Sequence, residues 1–402
     1  MAELFIAADD FTGALDTGVK LAAQGISARV VSGCESIGPC PETVLVANLD
    51  SRHLERDAAF EATYSACNAA FEAGARCLYI KTDSGLRGNI GAALEAAARA
   101  AKSKVVFAPA YPALNRRTEN GVHMIGDVPV TKSVFGRDLL NPVRHDFTRD
   151  IIREQTALKV YGAEEAVPEA GPHIELLELN TDKDMLCYAR AHAKSGIKAY
   201  AGCAGFAQVL GTLLGLTRGK PRAVRIRLPL AVFSASLSAV NFEQMRRGGK
   251  AGLASFAFTD VLSREPDLET LAACTLEKTP GVLIESARTK EEADALSARG
   301  EKMGLDAAAR ANRIAFNMGR AAKALTDAGF QGTLCLFGGD TVSAALAALG
   351  CRGLSPAGEI EPGVVISKAY LPDREIAVVT KSGSFGSADV IEKLIKRAEE
   401  TE

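Results

Sequence analysis

Short apolar runs alternate with segments of helical period along almost the whole chain, the pattern of an α/β architecture with mostly parallel strands. Leu4–Ala8 reads as a buried strand, and Leu15, Val19 and Ala22 line one face of a helix that stops at Gly25. Strands at Ala28–Val31, Val44–Asn48, Leu78–Lys81 and Val105–Ala108 follow, with helices near Glu55–Glu72 and Ile90–Ala101 between them. Ile174–Leu179, a helix near Asp182–Ala193, Ala199–Ala201 and a helix ending near Leu216 complete the first half. The second half offers strands at Leu228–Phe233, Val282–Glu285, Thr333–Phe337 and Ile376–Thr380, with helices near Leu305–Ala328, Val342–Leu349 and Ala388–Ala398.

The pattern breaks twice. From Pro109 to Phe147 no clean periodicity survives, and Pro109, Pro112, Pro129 and Pro142 accompany Arg116, Arg117 and Arg144; such a stretch predicts a long loop, functional or mobile. Thr217–Arg222 is polar and rich in breakers, which places a linker there and domains at 1–217 and 223–402. The expected fold is two α/β domains, each a mostly parallel sheet flanked by helices, with an active-site cleft between them.

Composition narrows the function. The 402 residues carry 47 Lys and Arg against 49 Asp and Glu, a net charge of −2, with the cations scattered; this predicts no nucleic-acid partner. Nine cysteines and five histidines lie at irregular spacings without a CxxC, so neither a disulfide framework nor a metal site is expected. Met1-Ala2-Glu3 runs straight into a strand, and no apolar run reaches the ~18–20 residues of a membrane span. A cytoplasmic chain with no membrane partner is the expectation; assembly with copies of itself is left open.

In open α/β sheets ligands sit beyond the carboxyl ends of the strands, so the residues between strand and helix carry the information. Asp9 and Asp10 end the first strand and open a helix. One carboxylate there has a helix to cap, but two adjacent ones repel unless a cation or a substrate hydroxyl engages the second. Asp83 and Arg87 share a loop with Gly85 and Gly88. They read either as carboxylate for hydroxyl and guanidinium for carboxylate, or as a local ion pair that shapes the loop. Arg52 and Arg116 are further candidates for the same anion site. In the second half Gly338-Gly339-Asp340-Thr341 leaves backbone bare at a helix start, where phosphate can approach amides. Ser234–Ser238 and Lys381–Ser387 follow the same logic, while P-loop and Rossmann fingerprints are absent.

Asp9-Asp10-Phe11-Thr12-Gly13-Ala14, Asp83–Asn89, Gly121-Val122-His123, Gly338–Thr341 and Lys381–Gly386, in that order and spacing, resemble the four-carbon acid sugar kinase family over nearly the whole chain. The resemblance implies ATP-dependent phosphorylation, with Mg²⁺, of the terminal hydroxyl of threonate, erythronate or a 3-oxo-tetronate. It implies an N-terminal domain for the sugar acid and a C-terminal domain for the nucleotide. Asp9, Asp10, Arg52, Lys81, Asp83, Arg87, Asn89 and Arg116 then fall on the sugar side. Ser234, Ser236, Gly338, Gly339, Asp340, Thr341, Gly363, Lys381, Ser382 and Gly383 fall on the nucleotide side. Asp83 is the expected acceptor-activating base and Asp10 the reserve. Gly85 stands where the family commonly has Thr, Asn115 where it commonly has Gly, and Ala235 where Gly is frequent. Two rival readings are a nicotinamide-dependent oxidoreductase on similar acids, against which the missing GxGxxG counts, and a non-catalytic sugar-acid-binding protein.

Overall fold

The computed structural model describes residues 2–400 except 139, 163–164, 169, 220–222, 236–237, 277–279 and 384, and of Glu35 the backbone alone. The chain divides into two compact units, Met1–Arg222 and Ala223–Glu402.

The strands of the first unit are β1 (Leu4–Ala8), β2 (Ala28–Ser32), β3 (Val44–Asn48), β4 (Cys77–Lys81), β5 (Val105–Ala108), β6 (Arg116–Glu119), β7 (Val122–Ile125), β8 (Val128–Pro129), β9 (Val160–Tyr161), β10 (Ile174–Leu176) and β11 (Ala199–Gly202). Eight of them lie in the spatial order β2-β3-β1-β4-β11-β5-β10-β9, every adjacent pair parallel. Central strands of such a sheet are covered on both faces, which is why β1, β3, β4 and β5 are buried along their whole length. The helices Phe11–Ala22, Arg56–Glu72 and Ile90–Ala101 supply the cover. After β1 the chain lays β2 and then β3 on one side, β3 next to β1, and from β4 it adds the remaining strands of this sheet on the other side. The carboxyl ends of β3, β1 and β4 therefore become neighbours at the point where the direction reverses.

The stretch expected to be one irregular loop contains a small antiparallel sheet, β6-β7-β8. Its strands are short and β6 reads Arg-Arg-Thr-Glu, so no apolar alternation announces it. The signal lay in the turn: Asn120 and Gly121 both take positive φ, the two-residue hairpin that Asn-Gly favours. Thr118 and His123 are fully buried in this sheet.

The second unit holds β12 (Leu230–Ser234), β13 (Ala254–Ala257), β14 (Gly281–Glu285), β15 (Thr333–Phe337), β16 (Leu354–Glu361), β17 (Val364–Tyr370) and β18 (Glu375–Lys381). Their order is β13-β14-β12-β15-β18-β17-β16, parallel as far as β18 and antiparallel over β18-β17-β16. The antiparallel strands β16 and β17 were not expected. The turn between them, Pro362-Gly363, carries Gly363 at φ +78°. Because β12, β15 and β18 are adjacent, the turns that follow them share one edge of the sheet.

Among the described residues no helix is long and apolar enough to cross a membrane.

Candidate active site

In the first unit three acidic side chains converge on one arginine. Asp9 and Asp10 leave the end of β1, Asp83 follows β4, and Arg52 lies in the loop after β3. The Arg52 guanidinium donates to both oxygens of Asp9, at 2.7 and 3.0 Å. It also reaches both oxygens of Asp10, at 2.9 and 3.1 Å, and lies 3.8 Å from Asp83. The loop is held in place by its backbone, Ser51 N–H donating to the Asp9 carbonyl at 3.0 Å. Asn89 fastens the same loop: its amide nitrogen donates to the carbonyls of Ser51 and Leu54 at 3.1 and 2.8 Å.

Asp10 caps the helix Phe11–Ala22, accepting from Gly13 N–H at 3.0 Å and from the Thr12 hydroxyl at 2.7 Å. A side chain at Gly13 would stand 2.4 Å from the Asp10 carboxylate and 2.7 Å from Lys81 Nζ. Only glycine leaves the site's polar atoms that room. Lys81 itself is buried and donates to the Thr82 carbonyl at 2.9 Å.

Asp83 is more heavily engaged than either. It accepts from the backbone of Gly85 and Arg87 at 3.1 and 3.2 Å and from the Arg87 guanidinium at 2.9 and 3.0 Å. Arg87 spends its remaining fork on Asp138 at 2.9 Å. Asp83 and Arg87 thus form the ion pair within their own loop.

Charge sorts the three acids. Burial pushes Asp9 up, and Arg52 only partly offsets it. Burial also pushes on Asp10 and Asp83, but Arg52, Lys81 and Thr12 hold Asp10 below the ordinary carboxylate range. Hydrogen bonds from Arg87, with Arg52 and Lys81 behind them, hold Asp83 far below it. Side-chain exposure runs from 9% at Asp83 through 15% at Asp9 to 25% at Asp10.

Arg116, on β6, presents a different picture. Among the described residues no carboxylate pairs with it; Nη1 donates to the Ser84 hydroxyl, and Nε is buried without a partner. Burial lowers the pKa of this guanidinium, and the nearby charge of Asp83 does not restore it. The ring of Phe135 carries Arg116 at 4.9 Å and Arg87 at 5.0 Å. His123 sits beneath, neutral because burial pushes it down to about 4. Its Nε2 lies 3.0 Å from the Ser84 carbonyl and its Nδ1 3.1 Å from Thr118 Oγ1. Two departures from the family pattern find reasons here. Phe135 fills the space beside Gly85, 2.5 Å from where a side chain would start. Asn115 takes φ +52°, a conformation that glycine and asparagine tolerate best.

In the second unit the turns after β12, β15 and β18 border a pocket of about 440 Å³. Gly338, Gly339, Asp340, Thr341 and Gly383 line it, as does Ala235, which has no positive φ. Gly338, at φ +102°, precedes the helix Gly339–Ala348. The opposite wall comes from two helices the sequence reading did not connect with the site. Leu296 and Ser297 lie on Lys290–Lys302, and Arg310, Ala311, Ile314 and Ala315 on Ala307–Asp327. Ser234, Gly363, Lys381 and Ser382 are not among the lining residues, and Ser236 lies outside the described residues. Lys381 instead points inward, fully buried, with Nζ donating to the carbonyls of Gly383 and Phe385.

Burial pushes the Lys381 ammonium down to about 8, against the pull of Glu361. An unfolded lysine titrates near 10.5, so between these values the unfolded chain binds more protons and native stability rises with pH. Thermal melts across about pH 8 to 10 should therefore show an upward component that Lys381→Met lacks. Parallel curves for the two proteins would refute it.

Two family models match the chain, a sugar-binding N-terminal domain over residues 4–210 and a nucleotide-binding C-terminal domain over residues 231–391. The chain is 30% identical to a D-threonate kinase of Bordetella bronchiseptica, over 96% of this chain and 95% of that protein. It is 29% identical to a 3-oxo-tetronate kinase of Pseudomonas fluorescens, over 96% and 95%. A crystal structure of a Haemophilus influenzae protein shares the fold, with a TM-score of 0.79 at 22% identity and 98% and 100% coverage. The sugar-binding and nucleotide-binding halves, matched over nearly their full length, make this chain a member of the family of four-carbon acid sugar kinases.

Proposed function

We propose that the protein transfers the γ-phosphoryl group of ATP to the terminal hydroxyl of a four-carbon sugar acid of the threonate, erythronate or 3-oxo-tetronate type. The observation that carries this reading is the acid–arginine cluster of the sugar-binding domain with a half-satisfied guanidinium, Arg116, beside it. A sugar acid brings one carboxylate and several hydroxyls. Arg116, with an unpartnered buried Nε, suits the carboxylate, since a planar fork matches it bidentately. Arg87, its fork already occupied by Asp83 and Asp138, shapes the loop instead.

Phosphoryl transfer asks the protein mainly for positioning and charge neutralisation. A carboxylate orients the attacking hydroxyl and accepts its proton. Asp83, saturated with donors and strongly acidic, has little basicity left for that task. Asp10 is also held low, but less far than Asp83, and it is the most exposed of the three; it takes the task in this proposal, and Asp83 becomes the anchor of Arg87. Lys81 and Arg52 keep the acids from repelling one another. In the nucleotide-binding domain the apolar helix wall suits the base and ribose, and the Gly338–Thr341 turn suits the phosphates. Mg²⁺, when bound, neutralises phosphate charge. Asp340, exposed in the first turn, and the Thr341 hydroxyl are oxygen donors of the kind it accepts.

An ADP-release panel over D- and L-threonate, D- and L-erythronate and the 3-oxo-tetronates tests the assignment. One acid should turn over with kcat/KM well above the rest, and the matching neutral polyol should fail. Silence across the panel, with nicotinamide turnover or bare ligand binding instead, would favour the rival classes.

A further inference from the structure

The sequence singles out Lys381 as a residue for the nucleotide, yet its amine faces the domain interior. Nζ donates to the Gly383 carbonyl at 2.5 Å and to the Phe385 carbonyl at 3.1 Å. Two side chains of the helix Ala239–Lys250 work on the same turn. Asn241 donates to the Gly383 carbonyl at 3.2 Å. Gln244 donates to the carbonyls of Phe385, Gly386 and Ser387 at 3.2, 3.0 and 3.0 Å. All three side chains are fully buried.

Buried donors of this kind are costly unless used, and here they are spent mainly on backbone oxygen, with Asn241 also donating to the Ser238 hydroxyl at 3.0 Å. Resting on the reading that ATP phosphates occupy the glycine-lined pocket, we propose that Lys381 is a positioning residue. It holds the Gly383 and Phe385 carbonyls inside the domain, so that this turn does not offer their partial negative charge to the phosphates. Gly383 is the residue of the turn that lines the pocket, and its carbonyl carries two buried donors. The turn's own backbone bond, Phe385 N–H to the Ser382 carbonyl at 2.9 Å, leaves the Gly383 carbonyl to the side-chain donors, and Gly386 takes φ +84°. Lys381 and Asn241 therefore share one acceptor at the pocket, the Gly383 carbonyl, and Lys381 holds the Phe385 carbonyl besides.

A double-mutant cycle on the intact protein reads this directly. Lys381→Met and Asn241→Ala should each raise the KM for ATP about tenfold, the scale of one lost hydrogen bond. The KM for the sugar acid and kcat at saturating ATP should stay near wild type. The double variant should be little worse than the poorer single one, because the Gly383 carbonyl stays turned inward only while both donors hold it. Should Lys381→Met fail to fold, Lys381→Gln carries the same cycle. Effects that multiply to about a hundredfold would make Lys381 an independent phosphate ligand and overturn the proposal, as would an unchanged KM for ATP. A wild-type protein that fails to bind ATP at all would instead remove the reading on which the inference rests.

Discussion

Replacing Arg52 with Met is expected to cost the sugar-binding domain about 3–5 kcal/mol, the range found when one partner of a buried ion pair is removed. The side chain is 11% exposed and touches Asp9, Asp10 and, at 3.8 Å, Asp83. Without it Asp9, Asp10 and Asp83 face one another with Lys81 and, at Asp83, Arg87 as the remaining nearby cations. For a domain of this size the loss corresponds to a fall in Tm on the order of 10 °C. The sign of the pH dependence follows from the same picture. In the variant, repulsion raises the carboxyl pKa values, so protonating Asp9 or Asp10 relieves the defect, and the gap to wild type should narrow as pH falls toward about 5. Arg52→Lys, which keeps the charge and loses the fork, should fall between the two. Differential scanning calorimetry checks all three statements, and a variant melting within about a degree of wild type would show that Arg52 is not the hub of the cluster.

Asp10→Asn should lower kcat by about 10²–10⁴, the usual contribution of general-base assistance, with both KM values little changed. Asn also caps helices well, so the Asp10 contact to Gly13 N–H and the helix Phe11–Ala22 should survive the change. Single-turnover measurement of the chemical step separates this from slow product release. Asp83→Asn makes the contrast. It unhooks Arg87 and should act mostly through the sugar-acid KM. If the two variants exchange phenotypes, the base is Asp83 and its arginine partner must move away when substrate binds.

Where the fold was legible, the reason is local. Segments such as Val44–Asn48 and Val105–Ala108 are almost wholly apolar because parallel central strands are buried on both faces. Strands β6 to β8 escaped because they are short, polar and stabilised by a turn and a buried His123, not by alternation. The site divides along the same line. Asp9, Asp10, Asp83 and Arg87 sit in turns whose composition betrays them. Arg52 gave no local sign of being central, since its role arises only when β3 lies beside β1. The apolar wall of the nucleotide pocket is likewise invisible one helix at a time. Lys381 shows what composition leaves out: a lysine beside glycines reads as a phosphate ligand, while the fold buries it with Nζ on the Gly383 and Phe385 carbonyls.

The central claim is that a phosphoryl group passes from ATP to the terminal oxygen of a four-carbon acid. Phosphorus NMR of the mixture formed from ATP, Mg²⁺ and the best acid of the panel tests it most directly. The account predicts one new phosphomonoester signal coupled to the protons of the terminal CH₂, growing in step with ADP. Free inorganic phosphate appearing with ADP, or an ester on an inner carbon or on the carboxylate, would contradict it.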